Sequence, residues 1–390
     1  MNNLPADKLK RDLAERRTQN LFRERMVLES PQGVAITVDG QSYLSFCSND
    51  YLGLANHPIV VAALRHGAER YGVGSGASHL ITGHCRAHHA LEEELADFVG
   101  AQRALLFSTG YMANLGVVTA LTSRHSLILE DKLNHASLID AARLSRARVR
   151  RYAHGDANHA ASCVGSRVGD VLIVSDGVFS MDGDVAPLAA LAGLAKSCQA
   201  WLLIDDAHGL GVTGANGRGT LEEADIGPES PVVLVGTLGK AFGTFGAFVA
   251  GDAAVIETLI QNARTYAYTT ALPPAIAEAT RVALRTARDE SWRRESLHAL
   301  IRRFRQGAHE LGLPLSSSNT AIQPVILGSS ARALDVAQQL RANGLLVPAI
   351  RPPTVPTGSA RLRITFSAAH EERHVDQLLS SLADILRDFE

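Results

Sequence analysis

From about residue 50 the chain alternates short apolar runs with longer stretches of helical periodicity. Arg103–Ser108, Ser126–Glu130, Val171–Asp176, Trp201–Asp206, Pro231–Gly236 and Gly246–Ala250 read as buried strands. Met112–Thr122, Ala136–Leu144 and Leu188–Cys198 lie between them and read as helices. Continuous apolar strands separated by helices predict α/β layers around a mostly parallel sheet. Ligands of such a sheet collect at the C-terminal ends of its strands.

The flanks follow other patterns. Residues 6–26 place Leu9, Leu13, Leu21, Phe22 and Met26 among many charges, as in an exposed amphipathic helix. The charged helical stretch Asp289–Leu311 leads out of the α/β layers, and beyond it Ile322–Leu327, Leu345–Ile350 and Arg361–Phe366 read as strands, with helices at Ala331–Ala342 and His370–Phe389. The expected division is a helical or extended segment over 1–50, a large α/β domain over 51–288 and a smaller α+β domain over 289–390. Ile350–Pro356 holds three prolines and reads as a stiff ordered loop.

Composition narrows the partners. A net charge of −2 with dispersed Lys and Arg offers no general attraction to nucleic acid or anionic membrane, so small molecules are the expected partners. Cys47, Cys85, Cys163 and Cys198 are widely spaced and read as free thiols. No uncharged apolar run approaches the roughly 20 residues that span a bilayer, and the N-terminal stretch Met1–Lys8 is polar, so the expected location is the cytoplasm.

Candidate chemistry gathers at two strand ends. Lys240 follows the apolar run Pro231–Val235, among Gly236, Gly239, Gly243 and Gly246, where a backbone can approach a bound group closely. Asp205, Asp206 and His208 follow Trp201–Ile204. A lysine amine able to form a Schiff base with an aldehyde, and an aspartate able to hold a pyridine nitrogen protonated, together read as a pyridoxal 5′-phosphate (PLP) site. Strand alternation sends Asp205 and Asp206 to opposite faces, and this pattern alone does not choose between them. Ser108–Asn114 runs from a strand into a helix, whose first N–H groups near Gly110 and Tyr111 suit a phosphate. Thr237 adds a hydroxyl that serves either a phosphate or a local turn. A P-loop is excluded, because Ala241 follows Lys240 where that motif needs Ser or Thr. Tyr71–Ala77 is rich in glycine but follows a helical stretch, which excludes a dinucleotide fold and leaves an active-site loop or a plain turn. His84, His88 and His89 match no metal-binding motif, so no metal is expected.

Thr237–Gly246, Asn49–Gly53, Asp182–Asp184, Asp205–Gly209 and Gly217–Gly219 together resemble the α-oxoamine synthase family of PLP enzymes, within the fold-type I aminotransferase-like group. The resemblance covers nearly the whole chain. It implies that Lys240 is the Schiff-base lysine and the base, that Asp205 meets the pyridine nitrogen, and that His208 bonds the phenolic oxygen. It further implies that His135 stacks on the ring and acts with Lys240, that Gly110, Tyr111 and Ser180 contact the cofactor, and that Thr237 lies on its phosphate side. Arg351 corresponds to a clamp for the amino-acid carboxylate, with Arg23, Asn49, His135 and Thr354 on the substrate side.

Within the family, Ala349–Pro356 followed by Ala360–Arg363 is similar to members that condense L-alanine with a pimeloyl thioester, carried on coenzyme A or an acyl carrier protein. Sister synthases use glycine or serine with another acyl donor. Around Gly76–His79 some relatives carry arginine where this chain has His79. Thr265–Pro274 resembles a segment that reaches a neighbouring subunit's cofactor phosphate, which implies a homodimer with shared sites.

Overall fold

The computed structural model describes residues 5–387; Met1–Leu4 of the polar N-terminal stretch and the predicted helix end at Phe389 lie outside them. The chain divides into two compact units. One comprises Asn49–His298 with Ser367–Ala369; the other comprises Ala299–Phe366 with the described parts of Met1–Ser48 and His370–Glu390.

The chain opens with a helix over Pro5–Thr18 that buries none of its residues. It stops well short of the predicted Met26, because Asn20 takes a left-handed backbone (φ 58) and Leu21 and Phe22 turn their N–H groups back to the Arg16 carbonyl. Strands β1 (Ala35–Val38) and β2 (Gln41–Ser45) follow as an antiparallel pair.

The larger unit is built on β3 (Arg103–Phe107), β4 (Leu127–Asp131), β5 (Arg148–Tyr152), β6 (Val171–Asp176), β7 (Trp201–Asp205), β8 (Val232–Thr237) and β9 (Ala247–Gly251). They form one sheet in the order β3-β9-β8-β7-β6-β4-β5, with β9 antiparallel to both of its neighbours and every other pairing parallel. Six of the strands therefore end on the same edge. Alternation along each strand splits the core between two faces. Leu203, Val174 and Val233 pack with the helices Gly110–Leu121 and Ala136–Leu144, whereas Leu202, Ile204 and Ile173 face the helices Ala157–Val164 and Leu188–Ser197.

The smaller unit continues with β10 (Ile322–Gly328), β11 (Leu345–Leu346), β12 (Ala349–Ile350) and β13 (Ala360–Thr365). The predicted strand Leu345–Ile350 is two strands: β11 adds in parallel to β2, while β12 pairs antiparallel with β13, which also pairs with β10. Pro348 lies between the two pieces and has no N–H for a ladder, so the chain changes sheets there. Among the described residues no helix is long and apolar enough to cross a membrane.

Candidate active site

The shared strand edge gathers the predicted residues of the larger unit. Gly110 and Tyr111 follow β3, His135 follows β4, Ser180 follows β6, Asp205 closes β7 with His208 just beyond, and Thr237 closes β8 with Lys240 just beyond.

Lys240 sits in a bend tied back on itself by Gly243 N–H to the Lys240 carbonyl at 2.8 Å and by Leu238 N–H to the Gly246 carbonyl at 2.9 Å. Its Nζ lies 2.8 Å from His208 Nε2, and Tyr51 Oη lies 2.7 Å from His208 Nδ1. Tyr51 is fully buried, and its hydroxyl also reaches Asn49 Oδ1 at 3.3 Å. This line accommodates either charge state of the lysine. With a neutral amine, Tyr51 donates to Nδ1 and Nε2–H donates to Nζ. With an ammonium, Nζ donates to Nε2, Nδ1–H donates to the Tyr51 oxygen, and the phenol turns to Asn49.

The two aspartates separate as alternation requires. Asp205 shares the face of Leu203, where Asn114 Nδ2 from the helix Gly110–Leu121 donates to its Oδ2 at 2.6 Å; Ala207 N–H donates to Oδ1 at 3.1 Å. The same Asn114 nitrogen donates to Ser137 Oγ at 2.8 Å, and Ser137 Oγ lies 2.8 Å from His135 Nδ1. Ser137 N–H also points to His135 Nδ1, at 3.3 Å, so Nδ1 is the acceptor and Nε2 carries the proton of a neutral ring. Burial lowers the His135 pKa, the Asp205 charge raises it in part, and the Lys240 charge lowers it further.

Asp206 turns to the opposite face. It is wholly buried, accepts the Thr220 N–H at 2.7 Å, and has its pKa raised to about 7 by burial. A Cβ at Gly209 would lie 2.1 Å from its Oδ1 and one at Gly219 (φ 95) would lie 2.0 Å from its Oδ2, so the surrounding turns close only on glycine. Asp176, the register partner of Asp205, accepts the His135 N–H at 2.6 Å; burial, then the Asp205 charge, pushes its pKa well above the usual carboxylate range.

At the start of the helix Gly110–Leu121, Thr109 Oγ1 takes the Met112 N–H, and a Cβ at Gly110 would meet nothing within 4 Å. The helix start at Gly110 thus borders open space at the positive end of the helix dipole. The Tyr111 hydroxyl donates to Asp140. Thr237 Oγ1 donates to the Gly246 carbonyl at 3.3 Å, so it also serves the local turn.

Ser180 rides on a loop clipped from outside. His154 lies between Asp131 Oδ1 at 3.0 Å and Asp184 Oδ2 at 2.8 Å, and its ring stands perpendicular to that of Phe179 with centroids 4.4 Å apart. The two carboxylates raise its pKa to about 10 against partial burial. Because the folded value lies above the unfolded one of 6.5, this contribution is full below about pH 6.5 and fades as pH rises towards 10. His154→Ala is therefore expected to lower the melting temperature by a few degrees at mildly acid pH, and by much less near pH 10, as thermal unfolding at the two pH values would show.

In the smaller unit, Arg23, Arg351 and Thr354 line one cavity of about 300 Å³ with Leu21, Glu24 and Ile350. Arg23 Nη2 donates to Thr354 Oγ1 at 2.8 Å, and Arg351 donates to the carbonyls of Asn20 and Phe22. Burial and then the charge of Arg23 lower the Arg351 pKa. Two guanidiniums facing one space favour an anion, and a carboxylate matches their planar donors.

Tyr51, Asn114, Ser137 and Asp176 were not among the sequence candidates. Asn114 carries a readable signal, since it is the one amide in the mostly apolar Gly110–Leu121 helix and is fully buried. His84, His88 and His89 lie around the start of the helix Arg86–Val99. Burial, then neighbouring imidazoles, lowers the pKa of His79 to about 3 and of His84 to about 4.

The pattern of the family aminotransferase class I and II matches residues 41–382. The 8-amino-7-oxononanoate synthase of Pseudomonas fluorescens is 60% identical over 378 residues, covering 97% of this chain and 96% of the relative. A serine palmitoyltransferase from S. paucimobilis, solved with bound PLP–myriocin, superposes with a TM-score of 0.93 at 29% identity, covering 99% of each chain. The 8-amino-7-oxononanoate synthase of Francisella tularensis superposes with a TM-score of 0.78 at 32% identity, covering 88% of this chain and 98% of that one.

Proposed function

The chain belongs to the aminotransferase class I and II family, and from that premise we propose that it condenses L-alanine with a pimeloyl thioester to form 8-amino-7-oxononanoate, a step of biotin synthesis. The observation that carries this reading is the 60% identity, over nearly the whole length, with a synthase of that product.

The cofactor is PLP, and the donor set fits it: a lysine amine held by a histidine, a buried carboxylate at a strand end, and a helix start without a side chain at Gly110. When bound, PLP supplies an electron-poor ring that accepts the electron pair left at an amino-acid Cα. Lys240 would hold it through Nζ, Asp205 would face the pyridine nitrogen, His208 the phenolic oxygen, and His135 the ring. Gly110, Tyr111, Ser180 and Thr237 complete its surroundings.

With alanine bound, Lys240 Nζ takes the Cα proton, and the Tyr51–His208 line adjusts to the charge it gains. Cα then bonds to the thioester carbonyl carbon as the C–S bond breaks, and the carrier leaves as a thiolate that takes its proton from water. The carboxyl group departs as carbon dioxide, and Lys240 returns a proton to the same carbon. Arg351 holds the alanine carboxylate, with Arg23, Asn49 and Thr354 on the substrate side. Arg351→Ala is expected to raise the alanine KM roughly ten- to hundredfold with a smaller change in kcat, measured by steady-state kinetics. An unchanged KM would remove the clamp.

Two copies form the working unit, with Thr265–Pro274 of each reaching the other's cofactor phosphate, in the cytoplasm and with coenzyme A or an acyl carrier protein delivering the acyl group. The whole reading is tested by pairing alanine, glycine and serine with pimeloyl and acetyl thioesters on both carriers. Alanine with a pimeloyl thioester is expected to exceed every other pairing by at least about tenfold in kcat/KM. Preference for glycine or serine with another acyl group would assign the chain to a sister synthase.

A further inference from the structure

A second group of chemistry-bearing side chains gathers where the chain enters the helix Arg86–Val99. A turn of π-helix over His79–Gly83 brings His79 back to His84, and the first turn of the following helix delivers His88. One ring nitrogen of each lies within 4.8 Å of one from each of the others. His79 and His88 are buried and His84 is half-buried, so the group is built into the fold yet reachable from solvent.

The ring orientations matter more than the proximity. His79 Nδ1 and His84 Nδ1 face each other at 3.0 Å, so one proton is shared between two ring nitrogens. His88 Nε2–H donates to the Leu272 carbonyl at 2.7 Å, which fixes the tautomer and leaves the Nδ1 lone pair facing Cys85 N–H at 3.1 Å. A ring anchored through one N–H to a carbonyl, with its other nitrogen presented as an acceptor, is how metal-ligating histidines are held. Cys85 Sγ lies 3.4 Å from the same Nδ1.

The frame around the group is firm. Ser78 pairs with Thr270, Ala271 N–H donates to the Ala77 carbonyl at 3.0 Å, and Ser75 Oγ donates to the Leu272 carbonyl at 2.6 Å. The His79 ring also stacks on Tyr266, with centroids 5.0 Å apart and planes 11° apart.

We propose that His79, His84 and His88 bind a divalent transition-metal ion such as zinc through their Nδ1 atoms, with the fourth position open beside His84. The proton between His79 and His84 moves to the outer Nε2 of its ring, and His88 exchanges the Cys85 N–H for the metal; no electron is transferred. Zinc–nitrogen bonds of about 2.0–2.1 Å set tetrahedral nitrogens roughly 3.3 Å apart, so the facing pair parts by only a few tenths of an ångström. A rival triad of His84, His89 and Glu92 is less suited, because Glu92 is committed to the Leu106 N–H at 2.9 Å.

The test is titration of the PLP-loaded protein with zinc against a chromogenic chelator. One zinc per chain is expected to bind in competition with the chelator, at least about tenfold more weakly in His84→Ala and His79→Gln and unchanged in His89→Ala. Cobalt in place of zinc is expected to give a visible absorption band that His84→Ala lacks. Melting curves of each variant establish that it is folded, and His84→Asn supplies a second, more conservative removal of the ligand. Zinc binding that is the same in His84→Ala, His84→Asn and the parent protein would overturn the site. So would a loss in His89→Ala with none in His79→Gln. The readout is metal stoichiometry, independent of condensation activity.

Discussion

Replacing Lys240 with alanine is expected to lower kcat by at least about 10³-fold, the largest loss of any single substitution in the larger unit. Two roles vanish together. In the proposed mechanism the side chain is the covalent anchor for PLP, and it is the amine that takes and returns the Cα proton. A small primary amine added to the Lys240→Ala protein is expected to restore part of the proton-transfer rate. Steady-state assays with and without the amine measure both effects, and activity close to the parent's would remove Lys240 from the mechanism.

Asp205→Ala is expected to cost about 10²–10³-fold in kcat. The residue is only 6% exposed and its carboxylate is aimed by Asn114 at 2.6 Å and by the Ala207 N–H at 3.1 Å, so in the proposed mechanism its charge acts on a bound pyridine nitrogen with little screening by water. Asp205→Asn keeps the shape and removes the charge, and is expected to fall nearly as far. Asp206→Ala separates position from chemistry: it removes the acceptor for the Thr220 N–H and is expected to lower the melting temperature more than kcat. The reverse pattern, with Asp206→Ala inactive and Asp205→Ala active, would exchange the two assignments.

Much of this arrangement was legible along the chain. The six predicted strands are present to within a residue or two, because a strand covered on both faces must be apolar throughout. β5 escaped because three of its five residues are arginine; as an edge strand paired only with β4, it buries only Tyr152 fully. The hairpin of β1 and β2 is short and half exposed, and the predicted Leu345–Ile350 strand carried no sign that its halves belong to different sheets.

At the site, the positions of Lys240, Asp205 and His208 at strand ends followed from pattern. The choice between Asp205 and Asp206 came from resemblance; the fold adds that parity puts Asp205 on the face of Leu203 and Asn114 and Asp206 on the other. The line from Asp205 through Asn114 and Ser137 to His135 joins three separate segments, which no local spacing could announce. The convergence of His79 with His84 and His88 depends likewise on a π-helical turn that has no periodic signature.

The most direct measurement is to treat the PLP-loaded protein with borohydride, digest it, and locate the lysine that carries the fixed cofactor. The chain has five lysines, and the expected result is label on Lys240 alone, absent from the Lys240→Ala protein. Label on Lys8, Lys10, Lys132 or Lys196, or label that persists after Lys240 is replaced, would contradict the site on which the proposed condensation rests.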